Sequence, residues 1–373
     1  MENKSCPYVL REIGREENRN MLEILKESPV DSKGLTICFD REPDIFLVPD
    51  LTSEHLKCAG FFREKRLLGF AMLSYQYVYV NGLPKIVMYY CNIHARKEGR
   101  KKGFFYKTSD FFLRDSYKTS NLGYAIIMKK NENAERFVGQ HKSGYPLLPA
   151  SKIISDLKVV NIITTFRKRE SSEYQVRKAT LEDIDSIVSM IRKEFSKRLF
   201  APVMDRSVFL KNLEKRPRFG ISNYYIAEKD GKAVGVCAAW DTGIFKQNRI
   251  IRYGRKLKMI NIFYAILARL FGLPQMPREG DAIRDVTIIE CAAKDRSPDI
   301  LEALLLKIYN EYRDRRYNMM IIGSCANDPL LKATKKFFTH PVVSSIILFS
   351  NDESLLDGGK IDTSLPYIDL VML

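Results

Sequence analysis

Residues 85–105 read KIVMYYCNIHARKEGRKKGFF. Lys85 to His94 is rich in Val, Ile and Tyr and reads as a strand. Arg96 to Gly103 is a basic loop bearing glycine, and Phe104 to about Tyr117 carries a helical pattern. Upstream, Tyr8 to Glu12 is a short strand and Arg15 to Glu27 a helix with Met21, Leu22 and Leu25 on one face. Cys58 to Phe62 and Leu67 to Val80 are strands joined by the turn Arg63–Arg66, and Asn81-Gly82 is a hairpin turn leading into the Lys85 strand. Downstream come a buried-type strand, Leu122 to Met128, a short helix, Asn131 to Val138, and more strand, Lys152 to Phe166. Arg167 to Glu173 is a polar, basic linker.

After the linker the same series restarts. Gln175 to Lys178 is a strand and Leu181 to Phe195 a helix, with Thr180 and Asp183 spaced like a capping box. A second helix, Arg206 to Lys215, precedes a hairpin, Tyr224 to Glu228 and Ala233 to Trp240, turned at Lys229–Lys232. Strand Val286 to Ala293, helix Pro298 to Arg313 and strand Met319 to Cys325 follow. A helix over Asn327 to Phe338 and strands over Ser344 to Phe349 and Ile368 to Leu373 complete the copy. The order of elements is therefore duplicated with little identity between copies, which predicts an α+β (mixed α/β) chain with domains 1–168 and 174–373.

Composition narrows the class. The formal net charge of +16 points to an anionic partner. The basic residues are scattered, with no zinc-finger spacing or RNA-binding aromatic motif, so nucleic acid has no motif behind it. A phosphate-bearing cofactor with an acidic substrate or carrier fits at least as well. The opening MENKSCPYVLREIG lacks the apolar run of a secretory signal. Met259 to Leu273 contains Asn261 and Arg269 and falls short of the roughly 20 residues a spanning helix needs, so no transmembrane segment is expected. The seven cysteines lie singly, which argues for reduced thiols and a cytoplasmic location. The four histidines have no ligand spacing, and no metal is expected. Residues 241–281 form an insertion in the second copy with a basic flank, Lys246 to Lys258, before the apolar run. It reads as a membrane-surface or lid helix, or as a helix packing on the sheet or on the second subunit of a homodimer.

The element order and the loop resemble the GNAT superfamily of acyl-CoA N-acyltransferases, whose motif is Arg/Gln-x-x-Gly-x-Gly/Ala. Here it reads Arg100-Lys101-Lys102-Gly103-Phe104-Phe105, with Phe105 where a small residue is usual. The resemblance implies two domains, each with a mostly antiparallel twisted sheet flanked by helices, and acetyl-CoA or another acyl-CoA as co-substrate. The chemistry suits the spacing. N–H groups at a helix N-terminus cradle a pyrophosphate, Gly103 permits close approach, and Arg100, Lys101 and Lys102 add positive charge. Asn131-x-x-Ala134 and Gly144-Tyr145 resemble a second family motif, with Val138 where a general-acid tyrosine is common; His141 and Tyr145 lie near that position. Strand backbone at Ile93 and Ala95 is implied to hold the acyl carbonyl. The second copy's loop, Ala293 to Asp299, has no glycine. Its Asp295 and Asp299 would repel a pyrophosphate, so it reads as structural.

The family's direct transfer needs a base for the amine and a donor for the thiolate. Strict alternation puts Tyr89, Cys91 and Ile93 on one strand face and Tyr90, Asn92 and His94 on the other. Tyr89 falls in the favoured register, His94 has a suitable intrinsic pKa, and Glu290 is the carboxylate on the corresponding strand of the second copy. Cys91 reads as a small buried hydrophobe. The implied activity is N-acyl transfer to a small-molecule or peptide amine. The alternatives are a non-catalytic tandem scaffold that binds a ligand or partner, or an aminoacyl-tRNA-using acyltransferase.

Overall fold

The computed structural model describes residues 8–32, 34–129, 148–356 and 359–373. Its strands are β1 (Tyr8–Glu12), β2 (Val30–Ser32), β3 (Leu35–Asp40), β4 (His55–Arg63), β5 (Arg66–Val80), β6 (Leu83–Ala95), β7 (Leu122–Met128) and β8 (Ala150–Ile163) in the first half. The second half supplies β9 (Gln175–Lys178), β10 (Tyr224–Lys229), β11 (Lys232–Trp240), β12 (Gln247–Tyr253), β13 (Asp285–Ala293), β14 (Met319–Cys325) and β15 (Thr339–Ser350).

Twelve of these strands form one sheet in the order β1-β4-β5-β6-β7-β15-β8-β14-β13-β11-β10-β9. The two outer blocks repeat the same pattern, antiparallel except for one parallel pair each, β6/β7 and β13/β14. Where the blocks meet, each half lends its last strand to the other. β15 pairs with β7 from Ser344↔Met128 to Ser350↔Leu122, and β8 pairs with β14 from Met319↔Ile163 to Cys325↔Leu157. The lent strands also pair with each other, from Thr339↔Ile162 to Ser350↔Ala150. Gly123 makes room at this junction, because a Cβ there would come within 2.3 Å of the Phe349 ring.

Helices cover the sheet in two sets. Pro298–Asp314 buries Leu301, Leu304, Leu305 and Ile308 against β10, β11 and β13. Ile184–Phe195 packs on β10, β11 and β13, its first turn fastened by the predicted capping box of Thr180 and Asp183. A further core ties the halves together: Tyr124 stacks on Tyr89 at 4.7 Å and on Phe200 at 4.4 Å. Asn81 and Gly82 both have positive φ, as a type I′ hairpin turn requires.

Three local expectations need correction. Asn327 to Phe338 contains only a 3-10 turn over Pro329–Thr334, because Asp328 caps it by accepting from Leu330 N–H. Ile368 to Leu373 is not a strand: Asp369 accepts from Val371 N–H and rolls Leu370–Met372 into a 3-10 turn. The insertion contributes β12 before its helix, Arg255–Phe271. β12 pairs with β3 of the first half, from Gln247↔Asp40 to Tyr253↔Leu35, and β2 completes a three-stranded sheet.

Because β7 and β8 reach each other only through β15, a fragment of residues 1–168 is expected to lack a cooperative thermal transition by circular dichroism. A fragment that melts in a single sharp step would show that the exchange is dispensable.

Candidate functional site

The parallel pair β6/β7 is hydrogen-bonded over only three positions, Met88↔Gly123, Tyr89↔Tyr124 and Tyr90↔Ala125. Beyond Tyr90 the strands part. At that point β6 bulges: Asn92 and Ile93 together stand opposite Ala71, and Asn92 adopts φ 49°. The bulge frees strand backbone from the ladder where a ligand could use it. It also corrects the strict alternation. Tyr90 and Ile93 share one face, toward Phe104 and Phe112, while Cys91 sits with Phe70 and Met72 on the other.

The basic loop stands at the mouth of the parting. Lys97–Arg100 forms one helical turn, and Gly103, at φ 76°, starts the helix Phe104–Ser116. The first bond of that helix runs from Lys107 N–H to Gly103 C=O at 3.1 Å, so the amides of Gly103 and Phe104 lie outside its ladder. A Cβ on Gly103 would meet nothing within 4 Å, so the space in front of the turn is open. Arg100 Nε donates to Ala95 C=O at 2.6 Å, tying the loop to the end of β6. Lys101 and Lys102 are exposed. Phe105 turns its ring toward Tyr90, 5.9 Å away.

Behind the mouth lies a cavity of about 1500 Å³. It is bounded by Cys91–Ala95 and Arg100–Lys101, passes across β8, β15 and β14, and is roofed by β3, β12 and the inner edge of the Arg255–Phe271 helix. Its walls are largely apolar, among them Phe39, Leu73, Ile126, Val159 and Ile347, with a few buried charges. Burial, then Arg41 and Arg100, pushes His94 down to about 4, so its imidazole is neutral at physiological pH. Burial pushes Tyr89 well above the usual phenol value, and its ring is locked against Tyr124.

Two charges that no motif in the sequence marks sit deeper in the same cavity. Asp285, at the start of β13, accepts from Asn248 Nδ2 at 3.1 Å and is pushed up to about 6 by burial. Lys246, in the insertion, is pushed down to about 7 by burial and by Arg41. Its Nζ donates to the carbonyls of Leu370 at 2.5 Å and Val371 at 3.2 Å. Arg41 donates to the Leu373 carbonyl at 2.9 Å and lies close enough to perturb His94, Lys246 and Asp285 alike. These groups come from β3, β6, the insertion and β13, and only the fold gathers them. The only sequence trace is a lone Lys and a lone Asp beside apolar strands. Asn131, Ala134, Val138, His141, Gly144 and Tyr145 lie outside the described residues.

The second half repeats the architecture and closes it. β13/β14 is paired over Asp285↔Met319 to Thr287↔Ile321 and then parts. Glu290 and Cys291 stand opposite Cys237, and Glu290 adopts φ 54°, matching Asn92 in the first half. Glu290 does not reach the large cavity: Arg216 donates to it at 2.6 Å and the Tyr224 hydroxyl donates to its other oxygen. Where the first half has open space before Gly103, the second has Arg296, which ion-pairs with Glu194 and, at 2.6 Å, with Asp328. Buried Arg198 donates to Ser324 at 2.6 Å and to Asp328 at 3.1 Å. Burial pushes Asp328 up, but Arg198, Ser324 and Arg296 outweigh it and its carboxyl ends below the ordinary range. The protein's own side chains, Arg296, Arg198, Glu194 and Asp328, therefore stand in this cleft.

Nothing among family models or curated proteins matches the sequence. Solved structures do. Saccharomyces cerevisiae N-myristoyltransferase with bound myristoyl-CoA superposes with a TM-score of 0.59 at 12% identity, over 94% of this chain and 84% of that one. A GCN5-related N-acetyltransferase from Sphaerobacter thermophilus gives 0.57 at 10% identity, over 99% of both chains. A probable N-acyltransferase of unknown function from Enterococcus faecalis V583 gives 0.50 at 12% identity, over 94% and 74%. The chain thus has the fold of these GCN5-related N-acetyltransferases and N-myristoyltransferase, with its own two repeated halves joined in one sheet.

Asp328→Asn would leave buried Arg198 and Arg296 undercompensated and is expected to cost about 3–5 kcal/mol in urea unfolding. Because the native carboxyl sits below its unfolded value, its contribution is full above the unfolded pKa and fades as pH falls through the folded one. A substitution costing under about 1 kcal/mol would mean the second cleft is not held shut by this network.

Proposed function

We propose that this chain transfers an acyl group from an acyl-CoA to an amine, using the cleft of the first half. The observation that carries the reading is the parting of β6 and β7 at the Asn92 bulge, directly beside a glycine-started helix and above a deep apolar cavity. In this reading the amides of Gly103 and Phe104, with Arg100, Lys101 and Lys102, hold the cofactor's phosphates. Backbone freed at Asn92 and Ile93, with Ala95, orients the thioester carbonyl. The cavity, at about 1500 Å³, exceeds the roughly 300–1,000 Å³ of an ordinary small-ligand site. It therefore favours a long acyl chain over acetyl.

Asp285 fits the role of general base better than His94: it lines the same cavity, held there by Asn248, and a base is most effective when its pKa is near the working pH. A carboxyl held at about 6 is ionised at neutral pH yet basic enough to accept an ammonium proton, whereas the His94 imidazolium at about 4 releases its proton too readily. The amine, once deprotonated, attacks the thioester carbon. The C–N bond forms, the C–S bond breaks, and the departing thiolate takes the proton that the nitrogen sheds as it becomes an amide. His94, neutral and beside the bulge, is suited to hydrogen-bond the substrate; Tyr89 and Glu290 are held in packing and in an ion pair.

Calorimetry with coenzyme A and with a long-chain acyl-CoA should give about one site per chain, lost in Gly103→Trp, which fills the open space before the helix. Wild-type protein that binds neither would leave the scaffold and aminoacyl-tRNA readings standing instead.

With an acceptor amine in hand, kcat should rise with pH through about 6. Asp285→Asn should lower it by about 10²–10⁴ and remove that limb, while His94→Gln keeps the limb. A limb that survives Asp285→Asn would assign the base elsewhere.

A further inference from the structure

The helix Arg255–Phe271 wears its apolar face outward. Ala268 is its one buried residue, whereas Leu270, Phe263 and Ile262 are 73%, 66% and 64% exposed. With 3.6 residues per turn, Met259, Ile262, Phe263, Ile266 and Leu270 fall on one side of the helix. A surface helix ordinarily turns such a stripe to the core. Here the core side is instead the narrow edge carrying Leu257 and Asn261, which wall the large cavity. On the flank of the last turn, exposed Phe271 meets exposed Phe166 edge-on at 5.8 Å.

The surrounding charge has one sign. From Arg252 to Arg278 the chain carries Arg252, Arg255, Lys256, Lys258, Arg269 and Arg278, all exposed, and no acidic residue. The carboxylates that follow are engaged: Glu279 pairs with Lys258 at 3.1 Å, and Asp281 accepts from Arg278 N–H at 3.0 Å.

We propose that this face docks on an anionic lipid bilayer, with the helix lying in the headgroup plane. An apolar half-cylinder removed from water, with flanking Arg and Lys reaching up to lipid phosphates, meets both requirements of such a surface. The helix lies on the membrane rather than through it: among the described residues, no helix is long and apolar enough to cross. Charge argues against a second copy as the occupant. An isologous contact would set the same six cations against their own images, a like-charge juxtaposition that costs affinity. The helix that docks also walls the cavity, so membrane attachment and the acyl site share one element. The docking itself does not rest on the acyl-transfer reading, because its test reads binding alone.

The experiment is co-sedimentation of the full chain with phosphatidylcholine vesicles, with and without phosphatidylserine, alongside sedimentation velocity of the protein by itself. Wild type is expected to pellet with the phosphatidylserine vesicles, to come off as salt is raised, and to ignore pure phosphatidylcholine. Phe263→Asp with Leu270→Asp, both at exposed positions, should weaken binding by at least about tenfold with an unchanged circular dichroism spectrum. Arg255→Gln with Lys256→Gln should weaken it less. The proposal fails if wild type does not bind phosphatidylserine vesicles, or if the aspartate variant binds them equally well. It also fails if the free protein is a dimer that the aspartate variant dissociates, since a second copy would then cover the face.

Discussion

The exchange of β8 and β15 between the halves is the constraint on which the rest of the molecule depends. A strand edge left open inside a protein is an array of unsatisfied N–H and C=O groups. β7 ends the first block and β14 the second, and each edge is satisfied by a strand from the other end of the chain. The exchange makes one twelve-stranded sheet of two repeated units. It also fixes the floor of the large cavity, because β8, β14 and β15 all contribute to its wall.

On that sheet the same device appears twice and ends differently. Asn92 and Glu290 are equivalent bulge residues with positive φ, each where a parallel pair has just parted. In the first half, Gly103 leaves open space before the helix, with Arg100, Lys101 and Lys102 immediately before it. In the second, Arg296, Arg198, Glu194 and Asp328 fill the corresponding ground with ion pairs. Buried pairs of this kind return little stability over an apolar core but lose much when one partner is removed. They hold the second cleft together as structure.

The insertion joins the two fates. Its strand β12 binds the first half through β3, roofing the cavity that the first cleft opens into, and it brings Lys246 beside Asp285. Burial shifts both groups toward neutrality, one from above and one from below. In the proposed reaction, the raised Asp285 carboxyl is what accepts the proton.

How much of this was legible before folding depends on range. The strand Lys85–His94, the Gly103 loop, the Asn81-Gly82 hairpin and the Thr180–Asp183 cap were readable, because each is set by neighbours a few residues apart. The short strands β2, β3 and β12 were not, because what makes them a sheet is each other: β2 and β3 are a brief hairpin, and Ile250 of β12 joins Ile37 from more than two hundred residues away. Nor was the Asn92 bulge, which breaks an alternation that the sequence alone continues through Ile93. By itself, then, the sequence determined most of the repeated order of elements and the basic, glycine-bearing turn that starts a helix at Gly103, since local backbone preference suffices for those. Tertiary structure alone decided which edge strands cross over and that Asp285 and Lys246 meet in the cavity, since burial and cross-strand pairing act between residues that the chain keeps far apart.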